Sequence, residues 1–243
     1  MAPLTSNAIR QYVNTNIAVF RSNRLVRIKA LKLGNIMKGM KPYLYESSNT
    51  FVVQDIVKPL LDAYLFTREE RLFGDFIKGL ALFVCEKTYR GKGSPAEGID
   101  LEFTKDNVTY LVAIKSGPNW GNSSQIKRML DDFKRAKKIL MGRAGSRRIE
   151  FINGCCYGID NKPNKGDYHK LCGQRFWELI SADPELYIRI IEPLGFKARE
   201  RNSDFLIEYS RIINIFTVEF SDRFCDDGVI NWRRLVEFNS KKD

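Results

Sequence analysis

Two segments, Gly98-Ile99-Asp100-Leu101-Glu102-Phe103 and Tyr110-Leu111-Val112-Ala113-Ile114-Lys115-Ser116-Gly117, decide how this chain is read. Both read as strands, and the intervening Lys105-Asp106-Asn107 supplies a hairpin turn. Side chains alternate along a strand, so Leu111, Ala113 and Lys115 share one side while Val112 and Ile114 point the other way. Lys115 therefore ends an otherwise apolar strand, where an ammonium needs a partner or a task. The hairpin brings Asp100 toward the same end. One acid and one lysine so placed are the skeleton of a metal-dependent phosphodiesterase site. There a metal generates hydroxide and neutralises the growing negative charge, and an ammonium orients the attacking water or stabilises that charge. Mg2+ uses a few carboxylates together with water and substrate oxygens. A second acid would be expected two residues before the lysine, and that residue is Ala113.

Outward from the hairpin, residues 67–86 carry an apolar stripe at helical spacing (Phe73, Phe76, Ile77, Leu80, Ala81, Val84). Thr67 with Glu69 and Glu70 resembles a helix start, with acids near the positive end of the dipole. Residues 54–66 have a helical pattern interrupted by Pro59. After the hairpin, a basic helix is expected to about Met141, capped by Ser123 or Ser124, with Ile126, Met129, Leu130, Phe133, Ala136, Ile139 and Leu140 on its apolar side. Arg147 to Tyr157 reads as the next strand, Gly158 to Gly166 as a polar loop and Tyr168 to Ser181 as a helix. Leu186 to Ile191 and Phe205 to Phe220 supply further helices. The order indicates an α/β or α+β domain around a mixed central sheet flanked by helices, with an added helical N-terminal region. One domain over 1–243 is expected: 1–66 basic and mostly helical, 67–157 the catalytic core, and 158–243 the remaining core and helical closure.

The formal charge of +11 favours a polyanionic partner, nucleic acid first. The basic residues cluster: Arg10, Arg21, Arg24, Arg27, Lys29, Lys32, Lys38 and Lys41 precede any acid before Glu46. No apolar run approaches the roughly 20 residues that span a bilayer, and Met1 to Ser6 lacks the apolar core of a secretory signal. A cytoplasmic, soluble protein without a membrane role is expected. Five cysteines, an odd number, fit reduced thiols there. Cys155, Cys156, His169 and Cys172 have poor zinc spacing, and a single histidine rules out a catalytic histidine pair. Neither a phosphate-binding glycine loop nor a Gly-x-Ser-x-Gly elbow occurs.

Asp100, followed after about a dozen residues by Ala113-Ile114-Lys115, resembles the core of the PD-(D/E)XK nuclease superfamily, with Ala113 at the place of its second acid. Gly98-Ile99 stands where that motif has proline. The continuation Ser116-Gly117-Pro118-Asn119-Trp120-Gly121-Asn122-Ser123-Ser124-Gln125 resembles type II restriction endonucleases. The motif-bearing part covers about residues 67–130. The resemblance implies a restriction-endonuclease-like fold and sequence-specific, Mg2+-dependent hydrolysis of double-stranded DNA. It also implies a homodimer matched to a palindromic site, and a cognate DNA methyltransferase in the same restriction-modification system. It implies a metal site of Asp100, position 113 and an upstream acid, with Glu70 or Glu86 as that acid; Glu102 is a further candidate ligand. The plainer role of Glu70 is dipole compensation, and that of Glu86 is a solvated helix end.

DNA contacts are expected from Asn119, Trp120, Asn122, Ser124, Gln125, Lys127 and Arg128, which follow the lysine strand, and from Lys92 and Arg24. Turn formation and helix capping are the plainer roles of Asn119, Asn122 and Gln125. Arg143, Arg147, Arg148 and the loop Asn161 to Lys170 are further contacts of this kind. At Ala113 three explanations stay open: an acid removed to trap an uncleaved complex, an acid that has moved elsewhere, or a naturally non-cleaving DNA-binding protein of the same fold. On this reading position 113 should face Asp100 and Lys115 across a metal site, and a buried, dry face there would defeat it.

Overall fold

The computed structural model describes residues 4–141, 148–196 and 202–241, without the side chains of 18–24, 141, 195, 196 and 202. In chain order the elements are α1 (Ser6–Lys29), α2 (Leu33–Met37), α3 (Pro42–Ser47), α4 (Val53–Tyr89), β1 (Leu101–Lys105), β2 (Val108–Lys115), α5 (Ser123–Met141) and β3 (Arg148–Cys155). Then follow β4 (His169–Cys172), α6 (Gln174–Ser181), α7 (Leu186–Arg189), α8 (Ile191–Phe196), α9 (Asn202–Phe224), β5 (Cys225–Asp226), β6 (Val229–Ile230) and α10 (Trp232–Ser240). The protein is α+β, and the chain divides into two compact units, 1–17 with 73–197 and 18–72 with 198–243.

The first unit holds a four-stranded sheet in the order β1-β2-β3-β4. β1 and β2 are antiparallel, while β2, β3 and β4 run parallel, so the sheet is mixed as the sequence predicts. Asp106 and Asn107 both take positive φ (49° and 61°), the backbone of a tight hairpin turn, where Asn and Asp are tolerated. One sheet face packs on α5: Leu111 and Ala113 are buried with Met129, Phe133 and Ala136, and Phe133 stacks on Phe151 at 4.9 Å. Of the predicted apolar side of that helix, Met129, Phe133 and Ala136 are buried, Ile126, Leu130 and Leu140 are partly buried, and Ile139 is exposed. On the other face Phe103 stacks between Tyr89 at the end of α4 and Tyr110, at 5.4 and 4.9 Å. Gly154 leaves room there for the buried ring of Phe176 from α6.

The second unit is helical apart from the β5–β6 hairpin. Ile28, Leu33, Ile36 and Met37 meet Ile56, Val57 and Leu61 of α4 and Ile212, Phe216 and Phe220 of α9 in one apolar cluster. Among the described residues no helix is long and apolar enough to cross a membrane.

Several expected boundaries change. α4 runs unbroken from Val53 to Tyr89, so Thr67 starts no helix; its hydroxyl donates instead to the Ala63 carbonyl one turn back. Pro59 lies inside α4 as its seventh residue, so it forgoes the bond an N–H there would give the Asp55 carbonyl without ending the helix. Residues 169–172 form a strand, and only after Gly173, at φ +54°, does α6 begin. The β5–β6 hairpin and α10 lie beyond the last predicted helix.

Candidate active site

Gly98 leads into the hairpin at φ +77°, with its Cα against the buried carboxylate of Asp132 on α5; any side chain at 98 would collide with that group. Asp100 comes two residues later, just ahead of β1, with its side chain 17 % exposed. Its backbone N–H donates to the Val112 carbonyl at 2.9 Å, and its Oδ2 accepts the Ile114 N–H at 2.6 Å. The carboxylate therefore extends the backbone ladder by one bond. Its Oδ1 is held at 2.5 Å by the ammonium of Lys78 from α4. The Cys156 thiol is buried, and that burial pushes it up to about 12, with the Asp100 charge adding to the effect. It is an inert, protonated thiol at neutral pH.

Lys115 ends β2 as the sequence implies, but its company differs. Its Nζ lies 4.5 Å from the ring centre of Trp120, a cation–π contact. The Trp120 indole N–H donates to Asn153 Oδ1 at 3.0 Å, and Asn153 Nδ2 donates to the Ala113 carbonyl at 3.3 Å. Asn153 is 1 % exposed and is the β3 register partner of Ala113. Asp100 and Lys115 thus stand at one end of the hairpin with different partners, one toward α4 and the other toward the loop after β2.

The expected face across a metal site is not there: position 113 is buried and apolar, the outcome that counts against a metal site built on it. Ala113 is fully buried, and its methyl belongs to the apolar cluster of Ile99, Leu111, Met129, Phe133 and Ala136, with Trp120 packed beside it. The physical reason is simple: a methyl has nothing to offer a cation or water, so burial against α5 is its favourable state. Glu86 is exposed near the end of α4, eight residues past Lys78 and so about 12 Å further along the helix axis. Glu70 is exposed on the part of α4 that belongs to the second unit. Glu102 accepts from Ser94 at 3.5 Å and lies 3.9 Å from Lys92, which itself is largely exposed.

Of the expected DNA-contacting residues, Asn119, Ser124 and Lys127 are exposed. Arg128 pairs with Glu97 at 3.2 Å. Asn122 and Gln125 bind each other's backbone: Asn122 Oδ1 accepts the Gln125 N–H at 3.1 Å, and Gln125 Oε1 accepts the Asn122 N–H at 3.0 Å. This reciprocal cap, and not Ser123 or Ser124, starts α5. Arg148 pairs with Glu150. The side chain of Arg24, and Arg143 and Arg147, lie outside the described residues.

The residue that sequence reasoning missed is Lys78. The available signal is a lysine set among the buried Phe76, Ile77, Leu80 and Ala81, where a charge needs a partner.

These donors do not make a divalent-metal site. Asp100 brings two oxygens, both engaged; position 113 brings none from its side chain; and among the described residues no three His, Cys, Asp or Glu side chains converge as ligands. What the arrangement offers is an Asp100 carboxylate neutralised by Lys78 and, at the same end of the hairpin, the Lys115 ammonium over Trp120.

The family described as type II restriction endonuclease EcoO109I matches residues 7–202, most of the chain and all of the hairpin. Comparison with curated proteins gives no match.

Proposed function

The chain belongs to the type II restriction endonuclease EcoO109I family, and from that premise we propose that it binds double-stranded DNA at a specific sequence and cleaves it only when an acid stands at position 113. The observation that carries the reading is the placement of Asp100 and Lys115 at one end of the β1–β2 hairpin, within the matched residues. Mg2+ enters this proposal as the cofactor of the acid-bearing form, because the residues present here lack the donors to hold it. The formal charge of +11 supports a phosphate-rich ligand. The reading extends to a cytoplasmic homodimer that faces a two-fold symmetric site and works beside a cognate DNA methyltransferase.

The test is Ala113→Glu with plasmid DNA and Mg2+. Discrete fragments from the substituted protein, and intact plasmid from the parent chain, are the expected result. An inert Ala113→Glu protein that is folded and binds DNA defeats the cleavage half of the proposal. A second reading, a DNA-binding protein that does not cleave, is favoured by the sealed apolar surroundings of Ala113 and the Lys78 contact to Asp100. It expects sequence-specific binding with no cleavage whichever residue occupies position 113.

A further inference from the structure

The pairing of β2 with β3 continues past both strands. Cys156 N–H donates to the Lys115 carbonyl at 2.9 Å, and Tyr157 N–H to the Ser116 carbonyl at 3.1 Å. The loop after β3 is thereby laid along the segment that follows Lys115. Two glycines let the loops touch. The Tyr157 ring occupies the space a side chain on Gly117 would need, 2.5 Å from the ideal Cβ. Gly158, at φ +93°, abuts the Pro118 ring.

Polar bonds brace the loop from the other side. Asp160 Oδ1 accepts the Lys162 N–H at 2.9 Å and the Lys165 ammonium at 3.0 Å. Lys170 donates to the Pro118 carbonyl at 2.9 Å and lies 3.5 Å from Asp160. A loop with this many constraints has a fixed shape, and the shape it holds presents apolar groups to solvent. Ile159 is 82 % exposed, more than any other large hydrophobic residue described, and Tyr157 is 55 % exposed. The loop's polar residues Asn161, Lys162 and Asn164 are likewise exposed around it.

We propose that Tyr157 and Ile159 form a rigid apolar tip that contacts the bases of bound DNA beside Lys115, and that Ile159 is a determinant of sequence specificity. This rests on the reading of the chain as a DNA-binding protein. The occupant follows from place and charge: the tip adjoins the strand end carrying Lys115, on a chain with formal charge +11 that belongs to a family of DNA-cleaving enzymes. Phosphates hold a protein in register, whereas bases are read through their edges and apolar surfaces. An isoleucine meets DNA either against a thymine methyl in the major groove or as a wedge between base pairs. Both uses need a stiff support, because a floppy loop would fold its apolar tip away.

The experiment uses the full chain in EDTA and 40-base-pair duplexes with a randomised central 12 base pairs, carried through binding selection and sequencing. Ile159→Ser and Tyr157→Ser accompany the parent protein, with melting temperatures to verify folding. The parent is expected to enrich one motif. Ile159→Ser, at unchanged melting temperature and unchanged salt dependence, is expected to bind that motif about tenfold more weakly, within the range of one base-pair contact. It should also lose preference at one or two adjacent positions. Replacing thymine by uracil at those positions then reproduces the loss if the contact is to the methyl. Fluorescence of 2-aminopurine placed there rises on binding if the contact is a wedge. An Ile159→Ser protein that enriches the same motif with affinity within twofold of the parent overturns the inference and leaves DNA binding standing. A parent chain that enriches no motif overturns the sequence-specific reading itself, and this inference with it.

Discussion

Replacing Ala113 with glutamate sets burial against chemistry, and the structure fixes the size of the contest. The methyl of Ala113 is fully buried among Ile99, Leu111, Met129, Phe133 and Ala136, and the adjacent polar side chain, Asn153, already serves Trp120 and the Ala113 carbonyl. A glutamate there must overpack the cluster, at about 1–3 kcal/mol, or push α5 aside. It must also desolvate a carboxylate, which adds a cost of order several kcal/mol if the group stays charged and dry. Partial opening toward solvent lowers the total, and we expect a net loss of about 3 kcal/mol without metal. For a protein of this size that is a fall of roughly 6–12 °C in the melting transition. The loss has a pH signature. Burial raises the folded-state pKa of the introduced acid above its unfolded value near 4.3, so the substituted protein is least impaired below about pH 4 and loses ground as pH rises through the folded value. If the introduced acid completes a site with Asp100, Mg2+ or Ca2+ restores the melting temperature of Ala113→Glu and leaves that of the parent unchanged, by linkage. Scanning fluorimetry at pH 4.0 and 7.5, with and without 10-mM-scale divalent ion (about that much suffices for weak sites), reads all four states. A metal-free Ala113→Glu protein as stable as the parent at pH 7.5 refutes the sealed-cluster argument.

Other expectations follow from single contacts. Asn153→Ala leaves the Trp120 indole N–H and the Ala113 carbonyl without their partner, at a cost of about 2–4 kcal/mol in urea unfolding; a cost under about 1 kcal/mol means that water replaces the amide readily. Lys78→Met frees Oδ1 of Asp100 and should strengthen weak Mn2+ binding about two- to fivefold, the worth of a half-exposed ion pair. Titration by electron paramagnetic resonance checks this, and unchanged or weaker binding would mean that Lys78 does not compete for the carboxylate. Lys165 beside Asp160, with help from the Lys162 N–H and Lys170, holds that carboxyl below the usual carboxylate range. A depressed pKa contributes stability above the unfolded value near 3.9 and loses it as pH falls through the folded value. The protection factor of the Lys162 N–H, its exchange relative to the intrinsic rate at each pH, should therefore hold at neutral pH and fall only in strong acid; equal protection in Asp160→Asn removes the brace from the account. The serine variant of Ile159 completes the set.

Two local signals were plainly legible. Asp106-Asn107 announced the hairpin, and the spacing of Met129, Phe133 and Ala136 announced which side of α5 meets the sheet. Short elements were not legible, because four residues hold too little pattern: His169–Cys172 merged with the helical periodicity of α6 although Gly173 separates them. The Asp227-Gly228 turn of the last hairpin, both residues at positive φ, is a strong hairpin signal, but the two strands it joins have only two residues each and show no alternation of their own. In the candidate site, the placement of Asp100 and Lys115 at one end of the hairpin followed from the strand pattern. Lys78 could not be matched to Asp100, because that contact depends on how α4 crosses the sheet. The alternation rule correctly placed Ala113 and Lys115 on one side of β2. Whether that side was wet depended on Trp120 and α5, which pattern alone does not place.

The backbone bridge between Lys92 and Glu102 bears on how the protein behaves at high concentration. Strand β1 is one of the two edges of the sheet, and such an edge invites another copy to add a strand. Lys92 N–H donates to the Glu102 carbonyl at 2.9 Å and its own carbonyl accepts the Glu102 N–H at 2.8 Å, so the outward groups in the middle of the edge are already used. By alternation the next outward pair belongs to Thr104, beside Lys105 and the hairpin turn. Too little free edge remains to template a neighbouring chain. Lys92, which covers this edge, and Lys105 at its end also place positive charge along it, so pairing of another copy onto β1 is opposed by hydrogen-bond saturation and by charge together.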